Sequence, residues 1–381
     1  MSASHHLGFI SATLVFLLGL SGSGCVGNSE LRRGGPGAAY SGPMVATTGP
    51  TAPLGVGRIE VGKDGWRFAW SGTSATVHFR GRAVSADLTD SGKNQFLVLV
   101  DGKPVKGKIA PPPGRTTVEL VSGLPQGEHT LTLYKLTEPV VGETTLHGFI
   151  LDNYGESLPT VQPPKRRIEI IGDSISAGYG NEGTDPNCGF TPETQNHFLT
   201  YGARAARELD AELTTLAWSG RGVFSNRANP AEPETMSMIW ERTLPADPAS
   251  TWHFDSAPPD VVIINLGTND FAPEVKDITP FGPAYAALLD KVRQRYPSAH
   301  VFATVGPLLN DDYPPGRKSL STTRTTLQAL VTQRGDPKLH YFEHAAVRAD
   351  EGLGCDYHPT EKTHRRMAAE LLGAIRKDVG W

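Results

Sequence analysis

Four short blocks of this 381-residue sequence carry side chains that together could perform acyl transfer: Gly172-Asp173-Ser174, Ser219-Gly220-Arg221-Gly222, Gly267-Thr268-Asn269-Asp270 and Asp356-Tyr357-His358-Pro359. A serine hydroxyl is a poor nucleophile unless an adjacent base takes its proton, so Ser174 needs a histidine within hydrogen-bond reach, and His358 is the candidate. A general base of this kind contributes roughly 10²-fold to 10⁴-fold. In an extended loop, residues two apart project to the same side, so Asp356 is expected beside His358, holding the imidazole in its working tautomer. Negative charge developing on the attacked carbonyl oxygen calls for pre-placed donors. The backbone N–H groups of Ser174 and Gly220 and the side-chain amide of Asn269 are the expected ones. Protonation of His358, with an ordinary pKa near 6.5, should cut the rate in acid.

Each block has neighbours that compete for these roles. Ser176 lies near Ser174 and is read as loop support, Gly222 rivals Gly220 for the oxyanion position, and Asp270 is read as structural. His364 stands six residues beyond His358 on a helix and is read as a brace. The glycines Gly178, Gly180 and Gly183 fit the dinucleotide template G-x-G-x-x-G, but Thr184-Asp185-Pro186 follows where a helix should already run. They are read instead as part of the site wall, leaving room for a bulky glycan. No H-E-x-x-H or paired-carboxylate cluster calls for a metal, and no cofactor is expected.

These blocks must be held by a framework, and the hydropathy pattern supplies one. From 165 to 381 the strand candidates RIEIIG, ELTTLAW, DVVIINLG, HVFATVG and KLHYFEH alternate with helices near 196–210, 281–296, 317–334 and 359–378. This is the pattern of an α/β domain with a parallel sheet, whose ligands lie outside the carboxyl ends of the strands. Pro359 suits the first turn of the last helix, where Met367, Leu371, Leu372 and Ile375 share one face. Between 55 and 158 short alternating segments such as TSATVHFRG, VSADLTD and HTLTLYKL, separated by turn signals, predict an antiparallel β-sandwich, jelly-roll-like. Residues 26–54, rich in Gly, Pro, Ser and Thr, read as a flexible linker.

The run LGFISATLVFLLGL at 7–20 has the length of a secretory signal and is short for a membrane span, so residues 1–25 read as an export signal. Ser21-Gly22-Ser23-Gly24-Cys25 resembles a lipoprotein lipobox, with Gly22 where Leu is usual. Two outcomes stay open, lipidation of Cys25 with membrane attachment or ordinary cleavage nearby. Outside the cytosol the remaining cysteines, Cys188 and Cys355, are expected to pair, the alternative being two buried thiols. With 36 Lys and Arg against 40 Asp and Glu, the net charge of −4 shows no basic stripe for nucleic acid.

In their order and on this framework, the four blocks resemble the SGNH hydrolases, named for Ser, Gly, Asn and His in successive blocks. With a preceding sandwich and the short D-x-H-P ending, the whole chain looks like the acetyl esterases of carbohydrate esterase family two. The resemblance implies a flavodoxin-like three-layer α/β/α catalytic domain, a serine esterase mechanism and an acetylated polysaccharide substrate such as xylan or glucomannan. A monomer is expected. It favours Gly220 over Gly222, and some members of the family orient the histidine with a backbone carbonyl rather than a carboxylate, so both options for His358 stay open. Aromatic residues near the blocks, Tyr179, Trp218, Phe271 and Tyr357, are candidates for a sugar-stacking wall. The insertion Glu234–Phe254, with Trp240 and Trp252, is expected to rim the cleft. A Cys188–Cys355 disulfide would tie the nucleophile loop to the His358 loop. Two other readings compete: a lipase or thioesterase on the same fold, and a surface glycan-binding protein with an inert hydrolase domain.

Overall fold

The computed structural model describes residues 42–105, 107–254 and 257–381. Cys25, the export signal and residues 26–41 lie outside the described residues. The segment to residue 54, read as linker, is partly ordered sheet. Met44–Ala46 pairs antiparallel with Gly148–Ile150, and Leu54–Val56 pairs with Ser74–Thr76. The reason is local: Val45 is an apolar side chain among Gly, Pro and Ser, and it is buried in the sandwich core, which repays ordering the strand.

The N-terminal domain is two six-stranded antiparallel sheets. Its longer strands, Ser74–Gly81, Val84–Asp90, Gly127–Lys135 and Thr144–Leu151, fall on the alternating segments of the sequence. Their inward residues, among them Val77, Phe79, Leu88, Leu131, Leu133, Leu146 and Phe149, form one core between the sheets.

The C-terminal domain has five parallel strands: Arg166–Gly172, Ala211–Ala217, Val261–Asn265, His300–Val305 and Leu339–Glu343. Numbered in chain order they lie side by side as 2-1-3-4-5. The order reverses between the first and third strands, and a parallel sheet of this kind opens its ligand crevice there. Helices Tyr201–Glu208 and Glu361–Val379 cover one face, burying Tyr201, Met367, Leu371, Leu372 and Ile375 against Ile168, Ile170 and Ile263. Helices Phe281–Arg295 and Ser319–Arg334 cover the other, with Tyr285, Leu288 and Leu327 packed on Val262, Ile264 and Val301. Pro359 precedes the last helix instead of starting it, because Thr360 takes the N-cap and the first helical residue is Glu361.

The two domains are knit by groups that the sequence did not announce. Trp70 of the sandwich is fully buried in the core of the hydrolase domain. Arg58, also fully buried, donates to the carbonyls of Trp240 and Arg242, pairs with Glu169 at 3.3 Å, and lies 5.3 Å from the ring centres of both Trp252 and Phe254. The insertion Glu234–Phe254, expected to rim the cleft, therefore serves as an aromatic cage for this arginine.

Candidate active site

The first strand ends at Gly172, and Asp173 caps the short helix that follows by accepting the Ile175 N–H at 3.0 Å. This turn sets Ser174 at the sheet's carboxyl edge. Its Oγ lies 2.8 Å from His358 Nε2. Ser174 is at the first helical position, where a backbone N–H has no intrahelical acceptor. Ser176 turns away and hydrogen-bonds the Tyr201 hydroxyl at 2.9 Å, which is loop support.

His358 is fixed differently from the extended-loop expectation. Cys355–Tyr357 form a tight turn in which Asp356 (φ 50°) and Tyr357 (φ 63°) both adopt left-handed backbone conformations. The turn swings the Asp356 side chain outward, where it accepts the Tyr179 hydroxyl at 2.5 Å. The partner of His358 Nδ1 is the carbonyl of Cys355 at 3.1 Å. A carbonyl oxygen can only accept, so Nδ1 carries the proton and Nε2 presents its lone pair to Ser174. Asp356 is corrected from a contact of the imidazole to a residue beside it.

That turn is tied to the nucleophile loop. Cys188 and Cys355 form a disulfide across 167 residues of sequence. Cys355 N–H donates to the Gly180 carbonyl at 3.1 Å, and Asp356 N–H to the Cys188 carbonyl at 3.0 Å. A Cβ on Gly180 would lie 2.8 Å from Cys355 Cβ, and one on Gly183 only 2.5 Å from Cys355 Sγ. These glycines, expected to make room for a glycan, make room for the half-cystine.

The other two loops bring donors. Asn269 Nδ2 donates to the Arg221 carbonyl at 2.9 Å and lies 3.4 Å from Asp173 Oδ2. Gly222 N–H is taken by Asn226 Oδ1 at 3.2 Å, and a Cβ there would meet the Ser225 carbonyl at 2.1 Å. No acceptor among the described residues takes the Gly220 N–H. Asp270 accepts the N–H groups of Val223, Phe224 and Ser225 and so shapes the loop. Burial raises Asp270 to about 6 and Asp173 to about 7. His364 is buried and accepts the Tyr201 N–H at 3.3 Å, a brace between helices.

Ser174, Asn269 and His358 line one open cavity of about 520 Å³. Phe271 and Tyr357 line it too, but unequally. Phe271 is 1% exposed and packs edge-on against Phe281, whereas Tyr357 is 59% exposed. Tyr179 and Trp218 stand outside the cavity lining. The Tyr179 ring lies 4.3 Å from that of His358 and stacks on Phe190, so it covers the imidazole, and Trp218 lies under the Arg221 guanidinium.

Residues 55–160 match the carbohydrate esterase 2 N-terminal family, and residues 170–366 match the GDSL-like lipase/acylhydrolase family. A solved family two carbohydrate esterase from Clostridium thermocellum, in complex with cellohexaose, is 37% identical. It covers 87% of this chain and 100% of its own, with a TM-score of 0.81. The chain belongs to carbohydrate esterase family two. Membership makes this family two esterase a carboxylic ester hydrolase. It is also 38% identical over 318 residues to a cellulase/esterase, CelE, of Acetivibrio thermocellus, spanning 84% of this chain but 38% of that protein. An acetylxylan esterase / glucomannan deacetylase of Cellvibrio japonicus is 27% identical, over 86% of this chain and 88% of its own length.

Sequence reasoning missed several residues around the esterase cavity. Arg227 and Tyr313 line it. Tyr313 is 60% exposed, sits in a loop after the fourth strand and belongs to none of the four blocks, so no local pattern points to it. Burial also changes the expected pH behaviour. Desolvation lowers His358 to about 4, and the Cys355 carbonyl offsets only part of this. A base with a depressed pKa stays neutral, and competent, to lower pH. The rate in kcat/KM is therefore expected to stay level from about pH 8 to 6 and to fall as pH drops through about 4. An acid limb centred at 6.5 would show that His358 is solvated during turnover.

Proposed function

We propose that this protein removes O-acetyl groups from a polysaccharide such as acetylated xylan or glucomannan, acting as a monomer through an acyl-enzyme on Ser174. The observation that carries this reading is the 2.8 Å contact of Ser174 Oγ with His358 Nε2 inside an open cavity. In this reading His358 takes the serine proton as Oγ adds to the acetyl carbonyl. The tetrahedral oxyanion meets the N–H groups of Ser174 and Gly220, and Asn269, whose two amide hydrogens go to the Arg221 carbonyl and to Asp173 Oδ2, supplies a third donor by giving up the long 3.4 Å bond to Asp173. His358 then returns the proton to the departing sugar oxygen, and water repeats the sequence to release acetate. Exposed Tyr357 and Tyr313 on the rim offer faces on which a sugar ring can rest. The names of the relatives, an acetylxylan esterase / glucomannan deacetylase among them, support the substrate class.

A second reading draws on Leu308, Leu309 and Pro273, which give one side of the cavity an apolar lining that would suit a longer acyl chain. Acetate release from acetylated xylan, acetylated glucomannan and an aryl acetate, beside an aryl ester series of increasing chain length, separates the two. The acetyl reading expects acetate to be the best acyl group. A maximum at longer chains would replace it with a lipase-like activity, and no hydrolysis of any ester would leave a glycan-binding role. The protein is also proposed to be exported, its disulfide suiting an oxidising compartment. Fractionation of the same cultures reads this out, with activity at the membrane if Cys25 is lipidated, soluble outside the cytosol if it is cleaved off, and cytosolic if the proposal is wrong.

A further inference from the structure

Glu138 belongs to the sandwich, between the strand Gly127–Lys135 and the one-turn helix Pro139–Val141, yet its carboxylate ends in the catalytic domain. It is fully buried. Oε2 accepts the Ser219 N–H at 2.6 Å, and Oε1 accepts the Ser219 hydroxyl at 2.5 Å and Gln195 Nε2 at 3.2 Å. The Glu138 N–H in turn donates to Gln195 Oε1 at 3.2 Å. Beneath it, the buried Lys135 ammonium donates to the Thr137 carbonyl at 2.7 Å.

An interface that only had to stick would not use a carboxylate here, because removing a carboxylate from water is costly and an apolar side chain of the same size packs without that cost. What the carboxylate can do, and an apolar group cannot, is hold one residue by two hydrogen bonds at once. The residue held is Ser219, immediately before Gly220. On the far side of that peptide the Gly220 carbonyl accepts the Arg227 N–H at 2.9 Å. The Ser219–Gly220 peptide is thus flanked by two anchored groups, and its own N–H has no acceptor among the described residues.

We infer that Glu138 is a positioning residue of the esterase, a sandwich side chain that fixes the Ser219–Gly220 peptide so that the Gly220 N–H meets the oxyanion. This rests on the acyl-transfer reading above. It makes the sandwich a part of the active site: the catalytic domain without it would keep its nucleophile and base but lose the clamp on one oxyanion donor.

The test uses the full chain, with Glu138→Ala, Glu138→Gln, Ser219→Ala and a control at the same domain boundary, Tyr134→Phe, which removes the 2.7 Å contact of the Tyr134 hydroxyl with His197 Nδ1. Loss of a whole oxyanion donor lowers kcat by roughly 10²-fold to 10³-fold. Misplacing one is expected to lower kcat on an aryl acetate by roughly 10-fold to 10²-fold in Glu138→Ala, with KM within about 2-fold. Inhibition by phenylboronic acid, a tetrahedral mimic, should weaken in parallel. Glu138→Gln keeps an acceptor for the Ser219 N–H and should recover most of kcat. Ser219→Ala should lose less than Glu138→Ala, and the double variant should lose no more than Glu138→Ala alone. Tyr134→Phe should keep the parental kcat whatever its melting temperature. A folded Glu138→Ala with parental kcat overturns the inference, as does a loss that Tyr134→Phe shares. If Glu138→Ala does not fold, parental kcat in both Glu138→Gln and Ser219→Ala overturns it, and a lower kcat in Ser219→Ala sustains it. A parent without esterase activity would instead defeat the acyl-transfer reading itself.

Discussion

Ser174→Ala is expected to lower kcat on an aryl acetate by roughly 10⁴-fold or more while leaving the fold intact. Among the described residues the Ser174 hydroxyl has one hydrogen bond, to His358 Nε2, and the helix it begins is capped by Asp173, so truncation is expected to remove chemistry without removing structure. The same geometry predicts that His358→Ala costs a comparable factor and that the double variant is little worse than either, because the two groups act as one unit. Glycan binding, measured in parallel, should survive in Ser174→Ala. Activity above about one per cent of the parent would show that another nucleophile performs the reaction.

The largest effect on stability is expected at Arg58. Arg58→Met leaves Glu169, 4% exposed and paired with that guanidinium in the parent, as a buried carboxylate facing Tyr296. Breaking a buried pair by removing one partner typically costs about 3–5 kcal/mol. Burial already pushes the Glu169 pKa up against the pull of Arg58, so without Arg58 the carboxyl is driven further toward its neutral form. A carboxyl whose folded pKa lies above its unfolded value loses stability as pH rises, so the deficit should be larger at pH 8 than at pH 5. Replacing both partners, Arg58→Met with Glu169→Leu, should restore much of the loss. Urea unfolding of the parent and the two variants at both pH values checks this, and a deficit equal at the two pH values would mean that Glu169 is not the group left uncompensated.

How much of this was legible in the sequence depended on how local the signal was. Ser174 and Asn269 stand in short blocks just after strands and His358 in one just before the last helix, where residue type and position together point to a chemistry, and the strand-helix alternation predicted the sheet that gathers them. Asp356 was misplaced because its neighbour relation to His358 assumed an extended loop, and the left-handed turn at 356 and 357 has no signature in non-glycine residues. Tyr179 and Trp218 look like any aromatic near a site until the fold turns their rings onto His358 and Arg221. Arg58 and Glu138 were invisible for another reason. Each is a lone charge in a β-rich stretch, and its meaning lies in partners 57 to 184 residues further along the chain. The stretch read as linker holds the strand Met44–Ala46, which went unseen for want of weight on Val45, whose burial only the assembled sandwich provides.

The carbonyl that holds His358 Nδ1 belongs to Cys355, a half-cystine, so on the proposed mechanism maturation and competence of this enzyme are joined. A chain whose two thiols are not yet oxidised is then expected to hold His358 less firmly, even with both domains folded. Protein produced in a reducing cytoplasm would then be under-active for want of a finishing step, and a mild oxidant, with no change in sequence or ligand, would complete it.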